Sequence, residues 1–339
     1  MTTNIEQPLP AADHLALEIA RAALPYWGLE RALVEPVKVR ENAVFRVLRG
    51  GQSFALRVHR HGNHSDAALQ SEFAWMRALE ADGIAVPQII RSRRGGDFEV
   101  IAVREAPARQ VDVFAWIDGH HPRAIERGVA SPVELIAAPY RRIGALMARM
   151  HIQSSRWRPP RGFERHAWNA DGLVGERPHW GRFWELAALT PSQRRLMETL
   201  RERLATGLRV FPTDDHHYGL IHGDLVPDNV LMEDDTLRVI DFDDAGFGWH
   251  LFDIATSLYF VSGEGYYDAA RQALIEGYRS QRPLSDVALA ALPMFMAARG
   301  ATYLGWVHTR EGAPAARIPS LVERACVIGE GWLASAAAR

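Results

Sequence analysis

Cysteine, lysine, net charge and long apolar runs are all scarce in this chain of 339 residues. Cys326 is the only cysteine, which excludes an internal disulfide framework and a cysteine-built zinc site and leaves that thiol as a small buried apolar group. Lys38 is the only lysine, so arginine supplies every other basic side chain. The formal net charge is −2, and no overall basic field marks nucleic acid as the partner. The most apolar stretch, residues 287–307, is interrupted by Pro293 and Arg299, so no membrane-crossing helix is expected. Residues 1–10 have neither the basic start nor the apolar core of a secretory signal and are expected to form a loose tail. The expected location is the cytoplasm, with no membrane partner.

What remains has the make-up of a globular protein: 47% apolar and 24% charged residues, in a chain long enough for two lobes. There is no internal repeat or low-complexity tract. Chemistry-bearing residues are densest over 219–255. Leu220-Ile221 leads into His222-Gly223-Asp224, and Asn229 follows Asp224 by five positions. Val230-Leu231-Met232 reads as a short strand, 233–236 as a polar turn and 237–240 as the returning strand, which ends in Asp241-Phe242-Asp243-Asp244. Either acidic cluster alone would suit an Asx turn at a strand end. Together, in this order and spacing, they put a proton-accepting carboxylate on the same loop as an amide oxygen, with a second carboxylate arriving at that end of the hairpin. Phosphoryl transfer needs such a set, because the protein's contribution there is positioning and charge neutralisation rather than covalent chemistry. The spacing is that of the protein-kinase catalytic loop and the metal-binding aspartate after it.

On these residues the segment resembles the aminoglycoside phosphotransferase superfamily, which includes choline kinases, type II homoserine kinases and a bacterial stress-response kinase. The resemblance implies an α+β, protein-kinase-like two-lobe fold: a small antiparallel-sheet N-lobe with one main helix, and a larger, mostly helical C-lobe. It implies ATP and Mg2+ as cofactors and Asp224 as catalytic base, with His222 holding the catalytic loop. Asn229 and Asp241 are implied as metal ligands, with Asp243 supporting them. Asp253, in Phe252-Asp253-Ile254-Ala255, matches the family's buried aspartate that braces the loop.

The rest of the chain is read in that light. A helix over 14–24 is expected to follow Asp13 and stop at Pro25, and strands are expected at 34–40, 44–48 and 54–58. The turn Arg40-Glu41-Asn42-Ala43 stands where protein kinases carry a Gly-rich loop, and the resemblance implies that Asn42 covers the phosphates. Arg57 stands where the family usually carries its phosphate-binding lysine, and Glu72 where the helix glutamate pairs with that residue. Arginine can grip phosphate or carboxylate with two parallel hydrogen bonds, but its reach differs from lysine's. Ser65 predicts the start of a helix over 66–81, ended by Gly83. Strands are expected at 84–90, 98–103 and 111–117, and Ala115 and Ile117 resemble the hinge whose backbone bonds adenine.

The lobe boundary is expected near Gly119, giving an N-lobe of 1–118 and a C-lobe of 119–339. A helix is expected over 132–151. A segment rich in Trp, Arg and Pro at 154–189 corresponds to the family's substrate-contacting insertion; its tryptophans are read as packing, with an amine cage as the lesser idea. Thr190-Pro191-Ser192-Gln193 is a well-formed helix start, and helices are expected at 266–280, 284–309 and 318–336.

The function these readings give is transfer of the γ-phosphate of ATP to a hydroxyl of a small molecule. A protein Ser/Thr kinase, a nucleotide-binding module without catalysis and a metal hydrolase using His222 and the aspartates are the competing readings. Glu311, Glu323 and Glu330 are mixed with Arg299, Arg310, Arg317 and Arg324, which argues against a polycationic antibiotic as acceptor. Amino alcohols, homoserine-like amino acids and sugars stay open.

Overall fold

The computed structural model describes residues 11–39, 42–104, 106–121, 133–233, 236–310 and 315–337. The expected tail at 1–10, the residues Arg40 and Glu41, Glu311 and the tip of the 233–236 turn lie outside them. The backbone divides into two compact units, one of residues 1–74 and 87–118, the other of residues 75–86 and 119–339.

The first unit is a five-stranded antiparallel sheet with helices α1 (Ala11–Ala23) and the first part of α2 (Asp66–Ala81). The strands are β1 (Leu33–Val39), β2 (Ala43–Arg49), β3 (Gln52–Val58), β4 (Phe98–Ile101) and β5 (Arg109–Ala115), in the order β1-β2-β3-β5-β4. Gly50 and Gly51 both take left-handed φ (58° and 81°), the conformation a two-residue hairpin turn requires, and so join β2 to β3. Alternation then sends Phe45, Val47, Leu56, Val58, Val111 and Val113 into one core with Ile19, Ala20 and Ala23 of α1. Helix α1 ends at Ala23, just before Pro25 as expected, and Pro25 sits in the first turn of a 3-10 helix at Leu24–Trp27, a position where a missing N–H costs nothing. The strand expected over 84–90 is absent. Pro87 has no N–H to give a ladder, and the segment pairs at one bridge, Ile89 with Phe114. Ser65 accepts from the Ala68 N–H at 3.0 Å and so caps α2.

The second unit is mostly helical: α3 (Val133–Arg156), α4 (Ala170–Val174), α5 (Pro191–Val210), α6 (His250–Tyr259), α7 (Tyr267–Arg279), α8 (Asp286–Leu289), α9 (Leu292–Thr309) and α10 (Ile318–Ala337). A three-stranded sheet, β6 (Ala167–Trp168), β10 (Gly246–Trp249) and β7 (Tyr218–Ile221) in that order, and the hairpin β8 (Val230–Glu233) with β9 (Thr236–Val239) carry the loops. Helix α3 runs five residues past the expected end at 151. It lies against α7 where Gly144 meets the Leu274 carbonyl and Gly277 meets the Arg141 carbonyl, an approach no side chain would permit. Thr190 and Gln193 form the capping box of α5. The helix expected over 284–309 is two helices. Ser285 caps α8, and Pro293 would clash with a carbonyl four residues back in a continuous helix, so it sits instead in the first turn of α9. The stretch Asp286–Thr309 has the length and apolarity to cross a membrane, but much of it is buried inside this unit.

Candidate active site

β7 is fixed by antiparallel pairing with β10, which puts Leu220 and Ile221 in the core and releases the chain at His222. Gly223 turns it with φ of 79°, and a Cβ there would run into the Asp244 carbonyl and the Trp168 indole nitrogen, so only glycine fits. The buried His222 ring donates from Nε2 to the Ile240 carbonyl at 3.0 Å, which leaves Nδ1 to accept the Asp224 N–H at 3.3 Å. Both ring nitrogens thus hold backbone.

Asp253 of α6 braces the same turn from beneath. Fully buried, it accepts the His222 N–H at 2.9 Å and the Gly223 N–H at 2.8 Å, one on each carboxylate oxygen, with His151 Nε2 at 3.2 Å. Burial pushes the Asp253 carboxyl above its ordinary range, against the pull of His222 and those two N–H groups. His151 and His250 stack at 4.3 Å, and burial holds both far below the ordinary value of 6.5. Above pH 6.5 the two are neutral folded or unfolded and contribute no pH dependence. Below it the unfolded chain takes up protons that the folded one refuses, so stability falls with falling pH. The expected loss is about 1.4 kcal/mol per histidine per pH unit. Urea unfolding from pH 7 to 5.5 measures it, and His151→Gln should flatten the slope.

Asp224 points its carboxylate into two donors. Asn229 Nδ2 bonds Oδ2 at 2.9 Å and the Asp224 carbonyl at 2.8 Å. Arg299, 75 residues on and in the middle of α9, bonds Oδ1 from Nη2 at 2.6 Å and reaches the Gly223 carbonyl from Nη1 at 3.4 Å. The Arg299 side chain is 1% exposed and that of Asp224 is 27% exposed, so the pair is buried on the arginine side and open on the other. Sequence reasoning missed Arg299. Its one signal was a lone charge in an apolar helix, where a buried arginine requires a partner.

Asn229 also bears on a cation. Asp224 can only accept, so the Asn229 amide must present its nitrogen there, which turns the oxygen, a hard metal-ligating atom, the other way. The Ile240 N–H donates to the Asn229 carbonyl at 2.9 Å, and Val230 pairs with Val239, so hairpin register brings Asp241 to the same end as Asn229. Asp241 is exposed and has a φ of 67°, an uncommon conformation for a residue with a side chain and one that clusters at functional positions. Asp243 is buried, and its carbonyl accepts from Arg165. Among the described residues no three His, Cys, Asp or Glu side chains form a metal-holding group. An amide oxygen with one or two carboxylates, completed by phosphate oxygens, suits a hard divalent cation such as Mg2+.

In the first unit Arg57 is buried and held between carboxylates. It bonds Glu72 Oε1 at 2.7 Å, as the helix pairing requires. It also forks onto Asp112, through Nε to Oδ1 at 3.1 Å and Nη2 to Oδ2 at 2.8 Å. Asp112 lies opposite Arg57 in the β3–β5 register and takes His59 Nε2 at 2.7 Å as well. Asp112 is fully buried, yet Arg57 and His59 hold its carboxyl below the ordinary range. Asn42 is buried and accepts the Arg60 N–H at 3.2 Å, tying its turn to the end of β3. The Ala115 N–H is spent on the Gln88 carbonyl at 2.9 Å, so of Ala115 only the carbonyl can face a base; Ile117, two residues on, is half-buried.

The insertion tryptophans pack: Trp168, Trp180 and Trp184 are buried, and Trp180 donates to Asp244 Oδ1 at 3.0 Å.

An antiparallel-sheet unit, a helical unit and a loop–hairpin pair bearing Asp224, Asn229 and Asp241 define a protein-kinase-like α+β fold of two lobes. The chain belongs to the phosphotransferase enzyme family, whose model matches residues 34–286. A homoserine kinase of Gluconacetobacter diazotrophicus is 31% identical over 288 residues, covering 82% of each chain. An amicoumacin kinase of Bacillus subtilis is 22% identical over 90% of this chain and 88% of its own. Among solved structures, a microcompartment-associated aminopropanol kinase superposes with a TM-score of 0.83 at 29% identity, covering 94% of this chain and 98% of that one.

Proposed function

We propose that this protein is an ATP- and Mg2+-dependent kinase that phosphorylates the hydroxyl of a small amino alcohol. The observation that carries the reading is the doubly held Asp224 carboxylate, open on one side, on the loop whose Asn229 stands at the end of the hairpin to which register returns Asp241. Asp224 orients the acceptor hydroxyl and takes its proton as the oxygen–phosphorus bond forms. Asn229 and Asp241 hold the cation, with Asp243 behind them; when bound, the cation offsets the charge of the phosphate oxygens. Arg57, fixed by Glu72, steadies the nucleotide phosphates. Asn42 covers them, and the Ala115 carbonyl with the Ile117 N–H receives the base. Support for a nucleotide and a divalent ion also comes from an amicoumacin kinase of the same fold, solved with AMP-PNP and Ca2+.

The acceptor class follows from what surrounds Asp224. Arg299 bonds the loop through both terminal nitrogens and its side chain is 1% exposed, so that guanidinium is shielded from an acceptor carboxylate. The Asp244 carboxylate, held at Oδ1 by the Trp180 indole N–H, instead suits an ammonium group. The aminopropanol kinase likeness agrees; the homoserine kinase relatives favour a carboxylate-bearing acceptor. Purified protein with ATP and Mg2+ is therefore expected to release ADP with 1-amino-2-propanol or ethanolamine, and much less with homoserine or serine-containing peptides. Chelation by EDTA should abolish the release. Turnover of homoserine alone, or of peptides alone, would overturn the acceptor assignment.

A further inference from the structure

Arg299 is an expensive residue to bury. Its side chain is 1% exposed, and its Nε has no hydrogen-bond partner. A buried donor without a partner is costly to the fold, so its presence calls for an explanation other than stability. The surroundings supply one. The guanidinium carbon lies 4.7 Å from the centre of the Trp180 ring, 5.7 Å from Tyr303 and 5.9 Å from Phe260, so ring faces take the place of water around the charge. Trp180 is itself immobilised. Its indole N–H is bound to Asp244, its carbonyl accepts the Thr309 hydroxyl at 2.9 Å, and neighbouring Gly181 sits against the backbone of Gly305. The charge is thus seated in a rigid socket with two hydrogen-bonding prongs leaving it, one to Asp224 Oδ1 and one to the Gly223 carbonyl.

We propose that Arg299, seated on Trp180, is the positioning residue of the phosphotransfer site: it clamps Asp224 and the turn before it in the orientation that receives the acceptor hydroxyl. With one bond from Arg299 on Oδ1 and one from Asn229 on Oδ2, the carboxylate is fixed in angle and the lone pairs left to it receive the hydroxyl. Arg299 needs no contact with substrate to act. It sets the angle of the group that makes the contact, and a displacement of an ångström there is worth about 100-fold in rate. The inference rests on the kinase reading for its catalytic consequence, but not for its structural one.

Two readouts separate those parts. Arg299→Met is expected to lower kcat about 10- to 100-fold with KM for ATP within about twofold of the parent. Arg299→Lys keeps one prong and should recover most of the loss. Millimolar guanidinium should raise the rate of Arg299→Ala by refilling the socket, an effect that loss of fold would not produce. Independently of any substrate, amide hydrogen exchange at residues 222–225 should accelerate in Arg299→Met while exchange in α3 and α7 stays unchanged. Exchange that remains slow at 222–225 in the folded variant overturns the clamp, whether or not an acceptor has been found. So does a kcat within twofold of the parent. If no acceptor in the panel is turned over by the unaltered protein, the kinase reading fails, and the exchange measurement still decides the clamp.

Discussion

Asp224→Asn is expected to lose turnover by about 10²–10⁴ while still binding ATP, and to lose stability as well. The second half of that expectation is particular to this structure. Replacing an active-site carboxylate commonly leaves a protein as stable or more so, because such groups are held in place at a cost to the fold. Here the carboxylate neutralises a guanidinium that is otherwise out of reach of water. Asparagine retains an oxygen for Arg299 but not the charge, and its amide nitrogen would face the Asn229 nitrogen. With the Asp224 side partly open to solvent, the expected penalty is about 1–2 kcal/mol. Acceptor-dependent ADP release, calorimetric ATP titration and urea unfolding measure the three quantities. Normal turnover on the true acceptor would remove Asp224 as base; a gain in stability would mean that the Arg299 pair is not formed in solution.

How far this was legible in the sequence depended on whether the relevant spacing was local. The interval from Asp224 to Asn229 and the hairpin that returns Asp241 are short, so loop geometry alone brings the groups together. The capping box at Thr190 and Gln193 and the cap at Ser65 were readable for the same reason, since a side chain bonding three residues on needs no tertiary knowledge. Arg299 and Asp112 were not. Each meets its partner across a sequence gap that only the packed fold closes: Asp112 by the register of two strands, Arg299 by the docking of a helix. A one-residue slip in register would have turned Asp112 to the other face, and nothing in the local pattern fixes register. Prolines produced the missing strand at 84–90 and the division of the helix at 284–309, because whether a proline ends, opens or merely borders an element depends on which N–H the surroundings require. Pro25 opens a turn, Pro87 denies a strand and Pro293 restarts a helix.

Arg57→Lys, which would restore the residue the family usually carries, is expected to destabilise the protein by about 2 kcal/mol rather than improve it. Arg57 now serves two carboxylates at once, with a fork on Asp112 and an end on Glu72. An ammonium group is a single point. It can approach Glu72 or Asp112 closely, but it cannot span both with the same bonds, and the neglected carboxylate is fully or almost fully buried. Arg57→Met leaves both without their cation and should cost about 3–5 kcal/mol. The decisive variant is the pair Arg57→Lys with Asp112→Asn, in which one ammonium faces one carboxylate and a neutral amide. It should be more stable than Arg57→Lys alone, with a coupling of about 1 kcal/mol or more in a double-mutant cycle read by urea unfolding. If the two changes simply add, Asp112 is not what dictates arginine at this position. If they couple as expected, the arginine and the β5 aspartate are two halves of one device, and either is intelligible only with the other in place.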